Sequence, residues 1–99
     1  MILRTWRAVA KPTRADDYIE HLREDTLPIL RSIPGFAELS LLRRDLTNGS
    51  EILVLTRWQS LSAIISFAGE DFTAAVVADK VKGMMIEYDR CVNHYEVVL

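Results

Sequence analysis

The tightest constraint on the fold is a hairpin signal at the centre of the chain. Two apolar segments, residues 36–45 and 51–58, flank a short polar stretch that contains Asn48-Gly49. An Asn-Gly pair tolerates the positive φ angles that a tight hairpin turn requires. The sequence therefore predicts two adjacent antiparallel strands. The continuous apolar run at residues 52–55 predicts that the second strand is covered on both faces.

A strand-to-helix connection follows the hairpin. Ser60 stands where its hydroxyl can cap a short amphipathic helix over residues 61–68. Gly69 is placed to end that helix. Asp71 can cap a second short helix, which we expect over residues 72–81.

The N-terminal part of the chain predicts a strand and a long helix. Residues 2–10 predict a strand that is buried on both sides, because neither of its two faces is cleanly polar. Thr13 can cap the helix that follows, in which apolar residues recur at helical spacing up to residue 33. Pro28 lacks the amide hydrogen that a helix interior needs, so we expect a kink or a restart near residues 26–27.

The C-terminal part completes the pattern. Residues 83–88 are ambiguous, and residues 90–98 predict the last strand. The resulting order, β-α-β-β-α-β, is typical of a ferredoxin-like α+β fold, with a four-stranded antiparallel sheet and helices on one face. The length of 99 residues predicts one domain over residues 1–99.

The second face of the sheet needs its own partner. Both faces of the first and third strands carry apolar side chains, and an uncovered apolar sheet face marks an interaction site. A chain this short also buries only a modest core by itself. We therefore expect a homodimer in which two sheets pack face to face.

Composition excludes several classes of function. The net charge of −2 argues against nucleic acid as a partner, because phosphate binding needs a basic surface. One cysteine and two histidines exclude an intrachain disulfide and disfavour a structural zinc site. No apolar run reaches the length of a membrane span, and no signal peptide is evident. We expect a cytoplasmic protein without a membrane partner.

Several short motifs resemble the antibiotic-biosynthesis-monooxygenase (ABM) family of dimeric α/β barrels. The first is residues 55–60 (LTRWQS), followed by Ala63-Ile64 and by residues 67–71 (FAGED). Trp6-Arg7 on the first strand and residues 33–36 (IPGF) agree with it, and residues 94–97 (HYEV) resemble a branch of undefined activity. The resemblance covers nearly the whole chain and implies the dimeric α/β-barrel architecture.

The resemblance also implies a choice of chemistry. Some members of the family oxidise polyketide-type quinols with oxygen and no added cofactor, whereas others degrade haem with an Asn, a Trp and a His. The matching positions here hold Trp6, Phe67, and Val76 or Val77. None of the three residue types is kept, which disfavours haem degradation.

Two residues are candidates for catalysis. His94 could act as a general base towards a phenolic or enolic proton, since imidazole titrates near neutrality. Alternatively, His94 is a strand histidine that is hydrogen-bonded in the core or at the dimer interface. Asp71 could orient His94 or a substrate hydroxyl, or it could simply cap the predicted helix.

A set of aromatic residues and one arginine could line a ligand pocket: Trp6, Arg4, Trp58, Phe67 and Phe72. Pockets for aromatic ligands are mostly apolar with a few placed polar groups. The alternative is that the aromatic residues are ordinary core. The other strand arginines are expected to pair with Glu38, Glu51 or Glu96, Cys91 is expected to be buried, and His21 is expected to be solvated.

Two hypotheses of function follow. The first is a small protein that binds an apolar or aromatic molecule and acts as a cofactor-independent monooxygenase, with His94 as proton acceptor and Asp71 or an arginine as a steering group. The second is a non-catalytic ligand-binding or accessory dimer. Neither hypothesis requires a cofactor or a metal ion.

Overall fold

Strand β1 (Ile2–Ala10) runs through the centre of the sheet in the computed structural model, which describes residues 1–99. It pairs with β3 (Gly49–Trp58) on one side, and β3 pairs with β2 (Phe36–Leu46). On its other side β1 pairs with β4 (Met85–Tyr88) and with β5 (Asn93–Glu96). All pairings are antiparallel.

Strands β4 and β5 share one edge of β1, so together they take the place of the fourth strand. The strand order is β2-β3-β1-β4, with β5 beside the first half of β1. This order and the helices on one face confirm the predicted ferredoxin-like α+β fold. The ambiguous residues 83–88 supply β4, and the last strand is shorter than the predicted 90–98.

The hairpin between β2 and β3 lies where the sequence predicted it, but Gly49 is needed there for a different reason. The only positive φ angles in the chain belong to Gly35 and Gly69, so Asn48 and Gly49 do not use the predicted conformation. A Cβ atom on Gly49 would collide with the backbone carbonyl oxygen of Ala10. Glycine is required there because the neighbouring strand is too close for a side chain.

The first helical region is divided into three parts. Helix α1 (Ala15–His21) leads into a π-helical turn (Leu22–Thr26), and α2 (Leu27–Arg31) follows. Pro28 lies in the first turn of α2, where its missing amide hydrogen costs nothing, so the predicted restart is confirmed. The predicted cap at Thr13 is wrong, because Arg14 is the N-cap residue and no side chain caps α1.

Helix α3 (Leu61–Ala68) forms as predicted. The Ser60 hydroxyl accepts a hydrogen bond from the amide of Ala63 at 3.2 Å, and Gly69 ends the helix with a φ of 84°. Beneath α3, the fully buried Trp58 packs against the rings of Phe36 and Phe67. Burying one such side chain contributes roughly 1.5–3 kcal/mol to the free energy of unfolding.

The second predicted helix, residues 72–81, is mostly wrong. Only α4 (Asp79–Lys82) is helical, and residues 72–78, here named the edge segment, are not. The Ala75 amide donates to the carbonyl of Arg90, and the Val92 amide donates to the carbonyl of Thr73, both at 2.8 Å. The edge segment gives these backbone groups to residues 90–92 and cannot also use them in a helix.

Two residues near this pairing, Asp71 and Cys91, also differ from prediction. Asp71 caps no helix, since its carboxylate accepts a hydrogen bond from the Thr73 hydroxyl at 3.2 Å. Cys91 forms a bridge with Ala74 in the gap between β4 and β5 and is exposed, not buried. None of the helices has the length and apolar character needed to cross a bilayer.

The face of the sheet that points away from the helices carries apolar and charged side chains. The register places Leu3 opposite Arg57, and Thr5 opposite Leu55. Glu51 bonds Arg7 and Arg44 at 2.8 Å each, and Arg57 pairs with Glu38 at 3.2 Å. The predicted pairing of strand arginines with Glu38 and Glu51 is confirmed.

Candidate functional site

A cavity of about 80 Å³ lies between the helix-facing side of the sheet and the helical layer. Strands β1 and β3 form its floor, α1 and the π-helical turn form one wall, and the edge segment forms the opposite wall. Thirteen of its 17 lining residues are hydrophobic. An apolar interior with a few polar groups is the usual composition of a small-molecule site.

Arg4 supplies a buried positive charge to this cavity. The residue is only 5% exposed, and no carboxylate pairs with it. Its Nη1 atom donates to the carbonyl oxygen of Phe72 at 2.5 Å, and Nη2 donates to that of Ala74 at 3.2 Å. Burial lowers the pKa of the Arg4 guanidinium, but an arginine remains charged at neutral pH.

His94 lies on the same face of the sheet, directly beside Arg4 in the register of β1 and β5. Its Nε2 atom is 3.1 Å from Nη1 of Arg4. A guanidinium can only donate, so Nε2 accepts this bond and the ring is neutral, with its proton on Nδ1. Burial and then the charge of Arg4 lower the pKa of His94. His94 does not line the cavity.

Tyr18 enters the cavity from α1. The residue is 4% exposed, and its ring packs against Trp6 with the centroids 5.9 Å apart. Burial raises the pKa of the phenol, and no hydrogen bond from the chain contributes to that shift. The Tyr18 hydroxyl is therefore a protonated donor at neutral pH without a partner in the chain.

His21 also lines the cavity, which corrects the expectation that it is solvated. Its side chain is 11% exposed, and its Nδ1 atom lies 2.9 Å from Oδ2 of Asp25. Its other nitrogen, Nε2, lies 3.4 Å from the hydroxyl of Thr26, which is another cavity residue. Lys80 approaches the same Asp25 oxygen at 2.6 Å.

The other predicted site residues are divided between the cavity and its surroundings. Trp6 and Phe67 line the cavity with Arg4, whose Cζ atom is 5.9 Å from the centroid of the Phe67 ring. Trp58 is core beneath them. Phe72 contributes its carbonyl to Arg4 and places its ring edge against His94, with centroids 5.6 Å apart.

Asp71 and His94 are not brought together by a hydrogen bond. Asp71 is exposed, and its side chain bonds only Thr73. The catalytic roles predicted for both residues remain predictions. The positions that match the haem-degrading set, Trp6, Phe67 and Val76 or Val77, all line the cavity, but none of them offers an imidazole or an amide.

Sequence reasoning missed Tyr18 and His21, although a signal for them was present. The two residues are three apart on α1, so they share a helix face, and Tyr18 belongs to the apolar stripe. Asp25 follows His21 at the spacing of an ion pair within a helix. What the pattern did not reveal is the π-helical turn, which brings Thr26 to the second nitrogen of His21.

Several solved structures of other proteins have the same fold as this chain. The chain resembles a candidate antibiotic biosynthesis monooxygenase of Bacillus cereus, with 21% identity, a TM-score of 0.71, and coverage of 100% of this chain and 93% of that one. It also resembles MhuD, a haem degrader of Mycobacterium tuberculosis solved with two haems bound, with 22% identity, a TM-score of 0.61, and coverage of 100% and 97%.

A third similar structure is the monooxygenase ActVA-Orf6 of Streptomyces coelicolor in complex with nanaomycin D, with 15% identity, a TM-score of 0.62, and coverage of 95% and 82%. At these identities the likeness is one of fold. No curated protein sequence matches the chain significantly. The family model for antibiotic biosynthesis monooxygenases matches residues 1–78 of the 99, and the chain therefore belongs to that family.

Proposed function

We propose that this protein binds an apolar or aromatic molecule with an ionisable hydroxyl group, such as a phenol or a quinol, and oxidises it with oxygen and no added cofactor. The observation that carries the proposal is Arg4, a buried guanidinium without a carboxylate partner in the wall of an apolar cavity. A buried charge that lacks a counter-ion favours an anionic ligand.

Arg4 retains donors for such a ligand. Both hydrogens of Nη1 are used by Phe72 and His94, and one hydrogen of Nη2 is used by Ala74. The Nε hydrogen and the second Nη2 hydrogen remain, because a guanidinium has five N–H donors. A phenolate oxygen is a suitable acceptor, and its attraction to the cation is strengthened by the low dielectric of the site.

Deprotonation makes the ligand electron-rich enough to reduce oxygen. In an anthrone-like substrate, a methylene group between aromatic rings would become a carbonyl. One atom of O₂ would enter the product, and the other would leave as water with the two methylene hydrogens. The apolar cavity would keep bulk water from the reactive intermediate.

The edge segment would have to move for a ligand with several rings. The cavity of about 80 Å³ is smaller than the roughly 300–1,000 Å³ of a drug-sized site. Two of the bonds that hold the edge segment are the carbonyl bonds of Phe72 and Ala74 to Arg4. An anion that takes over these donors would release the segment and enlarge the cavity.

The apolar outer face of the sheet supports a homodimer that buries this face against a second copy. Leu3, Leu53 and Leu55 lie at its centre and the Glu51 and Glu38 ion pairs lie around them. Sedimentation velocity at micromolar concentration should give the mass of a dimer. A replacement of Leu53 by Asp should give a folded monomer, and a wild-type monomer would contradict the proposal.

The second candidate function is a non-catalytic binding or accessory dimer. The observation in its favour is that His94, the residue predicted to be the base, has its Nε2 occupied by Arg4. The cavity could then bind a ligand without reacting with it. A thermal-shift screen with quinols, anthrones, fatty acids, flavins and haem separates the candidates. A ligand at 100 times its dissociation constant should add about 2.7 kcal/mol, which is a shift of several degrees.

Measuring oxygen uptake with the compounds that bind then distinguishes the monooxygenase from the accessory dimer. A quinol or anthrone that binds and consumes oxygen supports the monooxygenase. Binding without oxygen uptake supports the accessory dimer. Stabilisation by haem alone would contradict both the phenol specificity and the inference from the missing Asn, Trp and His.

A further inference from the structure

We propose that His21, oriented by Asp25, is the group that takes the hydroxyl proton from a ligand bound in the cavity. This assignment depends on the proposed function, because it concerns a ligand with an ionisable hydroxyl. It differs from the role that the sequence predicted for His94.

The hydrogen bond to Asp25 decides which nitrogen of His21 carries the proton. Nδ1 lies 2.9 Å from Oδ2 of Asp25. Hydrogen bonds from Lys80 and then from His21 hold the pKa of the Asp25 carboxyl below its usual range, so this group is ionised and can only accept. Neutral His21 therefore carries its proton on Nδ1 and has a free electron pair on Nε2.

The geometry directs that electron pair to the cavity. Asp25 is half exposed on the outer side of the helix, whereas the His21 side chain is 11% exposed and lines the cavity. The only hydrogen-bond partner of Nε2 in the chain is the Thr26 hydroxyl, at the long distance of 3.4 Å. A ligand hydroxyl can therefore approach Nε2 without displacing a strong hydrogen bond.

The π-helical turn produces this arrangement. In such a turn, residues five apart lie above one another, and His21 and Thr26 are five apart. The turn thereby places two polar side chains next to each other at the cavity wall. Pro28 favours the irregularity, because it cannot donate the backbone hydrogen bond that a continuous α-helix would need.

Tyr18 adds a second polar group to the wall of the same cavity. Its ring centroid is 6.2 Å from that of His21, and its hydroxyl makes no hydrogen bond within the chain. No fully buried side-chain polar atom of the chain is left unpaired, so this hydroxyl is accessible and can donate to a ligand or to water. The cavity thus combines an acceptor at His21, a donor at Tyr18 and a cation at Arg4.

The proton transfer is balanced in charge. The O–H bond of the phenol breaks as an N–H bond forms on Nε2 of His21. The phenolate is then stabilised by the Arg4 guanidinium, and the new imidazolium is stabilised by the Asp25 carboxylate. His94 would act as a positioning residue, because its Nε2 holds Nη1 of Arg4.

The chain contains two histidines, which makes a direct test feasible. We would add 4-nitrophenol to ¹⁵N-histidine-labelled protein at a pH below the pKa of the free phenol. The absorbance reports the phenolate, and the ring ¹⁵N shifts report which histidine becomes doubly protonated. His21→Gln and His94→Gln variants assign the two rings.

The expected result is that phenolate appears together with imidazolium at His21, and that His21→Gln binds the phenol without ionising it. Asp25→Asn should lower the ionised fraction, whereas Glu24→Gln, an exposed carboxylate in the same turn, should leave it unchanged. Because Asp25 is exposed, its variant provides a second test if His21→Gln does not fold.

Three results would overturn the assignment. Phenolate with a neutral His21, or with imidazolium at His94, would place the proton elsewhere while leaving the proposed phenol site intact. Binding of 4-nitrophenol without ionisation in the wild type would exclude His21 as its acceptor. The absence of binding would contradict the phenol-binding function itself, and the His21 assignment would fall with it.

Discussion

The two histidines of this protein have opposite electrostatic surroundings, and only His21 lines the cavity, whereas His94 lies beside Arg4, which does. His94 on β5 faces the guanidinium of Arg4, which uses its Nε2 and disfavours protonation. His21 at the end of α1 faces the carboxylate of Asp25, which holds its Nδ1 hydrogen and leaves Nε2 with only a long contact to the Thr26 hydroxyl. Burial alone does not distinguish a structural histidine from a reactive one. The charge of the first neighbour, and the nitrogen that it occupies, make the distinction.

The largest expected difference between the two histidines is in turnover. His21→Gln should reduce kcat for an oxidisable quinol by about 10²–10⁴-fold, the usual contribution of a general base. The melting temperature should change little, because the glutamine amide can also donate a hydrogen bond to the half-exposed Asp25 carboxylate. Steady-state oxygen uptake measures the effect. Equal turnover in His21→Gln and wild type would show that His21 is not the reactive histidine.

Arg4 connects the two regions, and its replacement should weaken binding of anions selectively. Arg4→Gln should reduce affinity for a phenolate by roughly 10–100-fold, since a hydrogen bond to a charged group contributes about 1.5–3 kcal/mol. Affinity for the methyl ether of the same phenol should stay nearly constant, which makes the ether the control. Titration calorimetry with both ligands measures the ratio. Equal losses for both ligands would show that Arg4 acts only as packing.

Two replacements of His94 test whether its stabilising effect comes from the hydrogen bond that it accepts or from the packing of its ring. His94→Leu removes the acceptor for Nη1 of Arg4 and should cost about 1–3 kcal/mol, the penalty for an unsatisfied buried group. His94→Gln retains an acceptor oxygen and should cost less than half as much. Urea unfolding monitored by tryptophan fluorescence measures both. If the two variants unfold at the same urea concentration, the bond to Arg4 contributes nothing.

The smallest expected effect is on the pH dependence of stability. The pKa of His94 is lower in the folded state than its ordinary value near 6.5, so the unfolded chain binds its proton more readily. Stability from this group is therefore complete above about pH 6.5 and declines as the pH falls through that value. The melting temperature should decrease from pH 7.5 to 5.5, and His94→Gln should flatten this decrease. A melting temperature that rises as the pH falls would contradict the neutral state of His94.

The fold was accessible from the sequence because its signals are local. The apolar residues on both faces of β1, the Ser60 cap and the break at Pro28 each act within a few residues, and each produced the expected element. The helix predicted for the edge segment did not form, because the interactions that decide its conformation are not local. Its residues have helical spacing of apolar side chains, but its backbone groups are used by Arg4 and by residues 90–92, which are distant in the chain.

The candidate site was accessible only in part. Arg4, Trp6 and Phe67 were predicted and do line the cavity. Tyr18 and His21 were not predicted, because a histidine among Glu20, Arg23 and Glu24 looks solvated in a linear sequence. The π-helical turn brings Thr26 to the second nitrogen of His21, and such a turn depends on the packing of the whole helix against the sheet.

The sequence by itself determined the α+β class, the order of the strands, the helix cap at Ser60 and the family resemblance, because these depend on the period of apolar residues and on short motifs. Tertiary structure decided the charge beside each histidine, the exposure of Cys91 and the path of the edge segment. Arg4 and His94 are 90 residues apart in the chain, and only the pairing of β1 with β5 brings their nitrogens within 3.1 Å. Electrostatics acts through space, so the chemical role of a titratable residue is set by neighbours that a linear pattern does not contain.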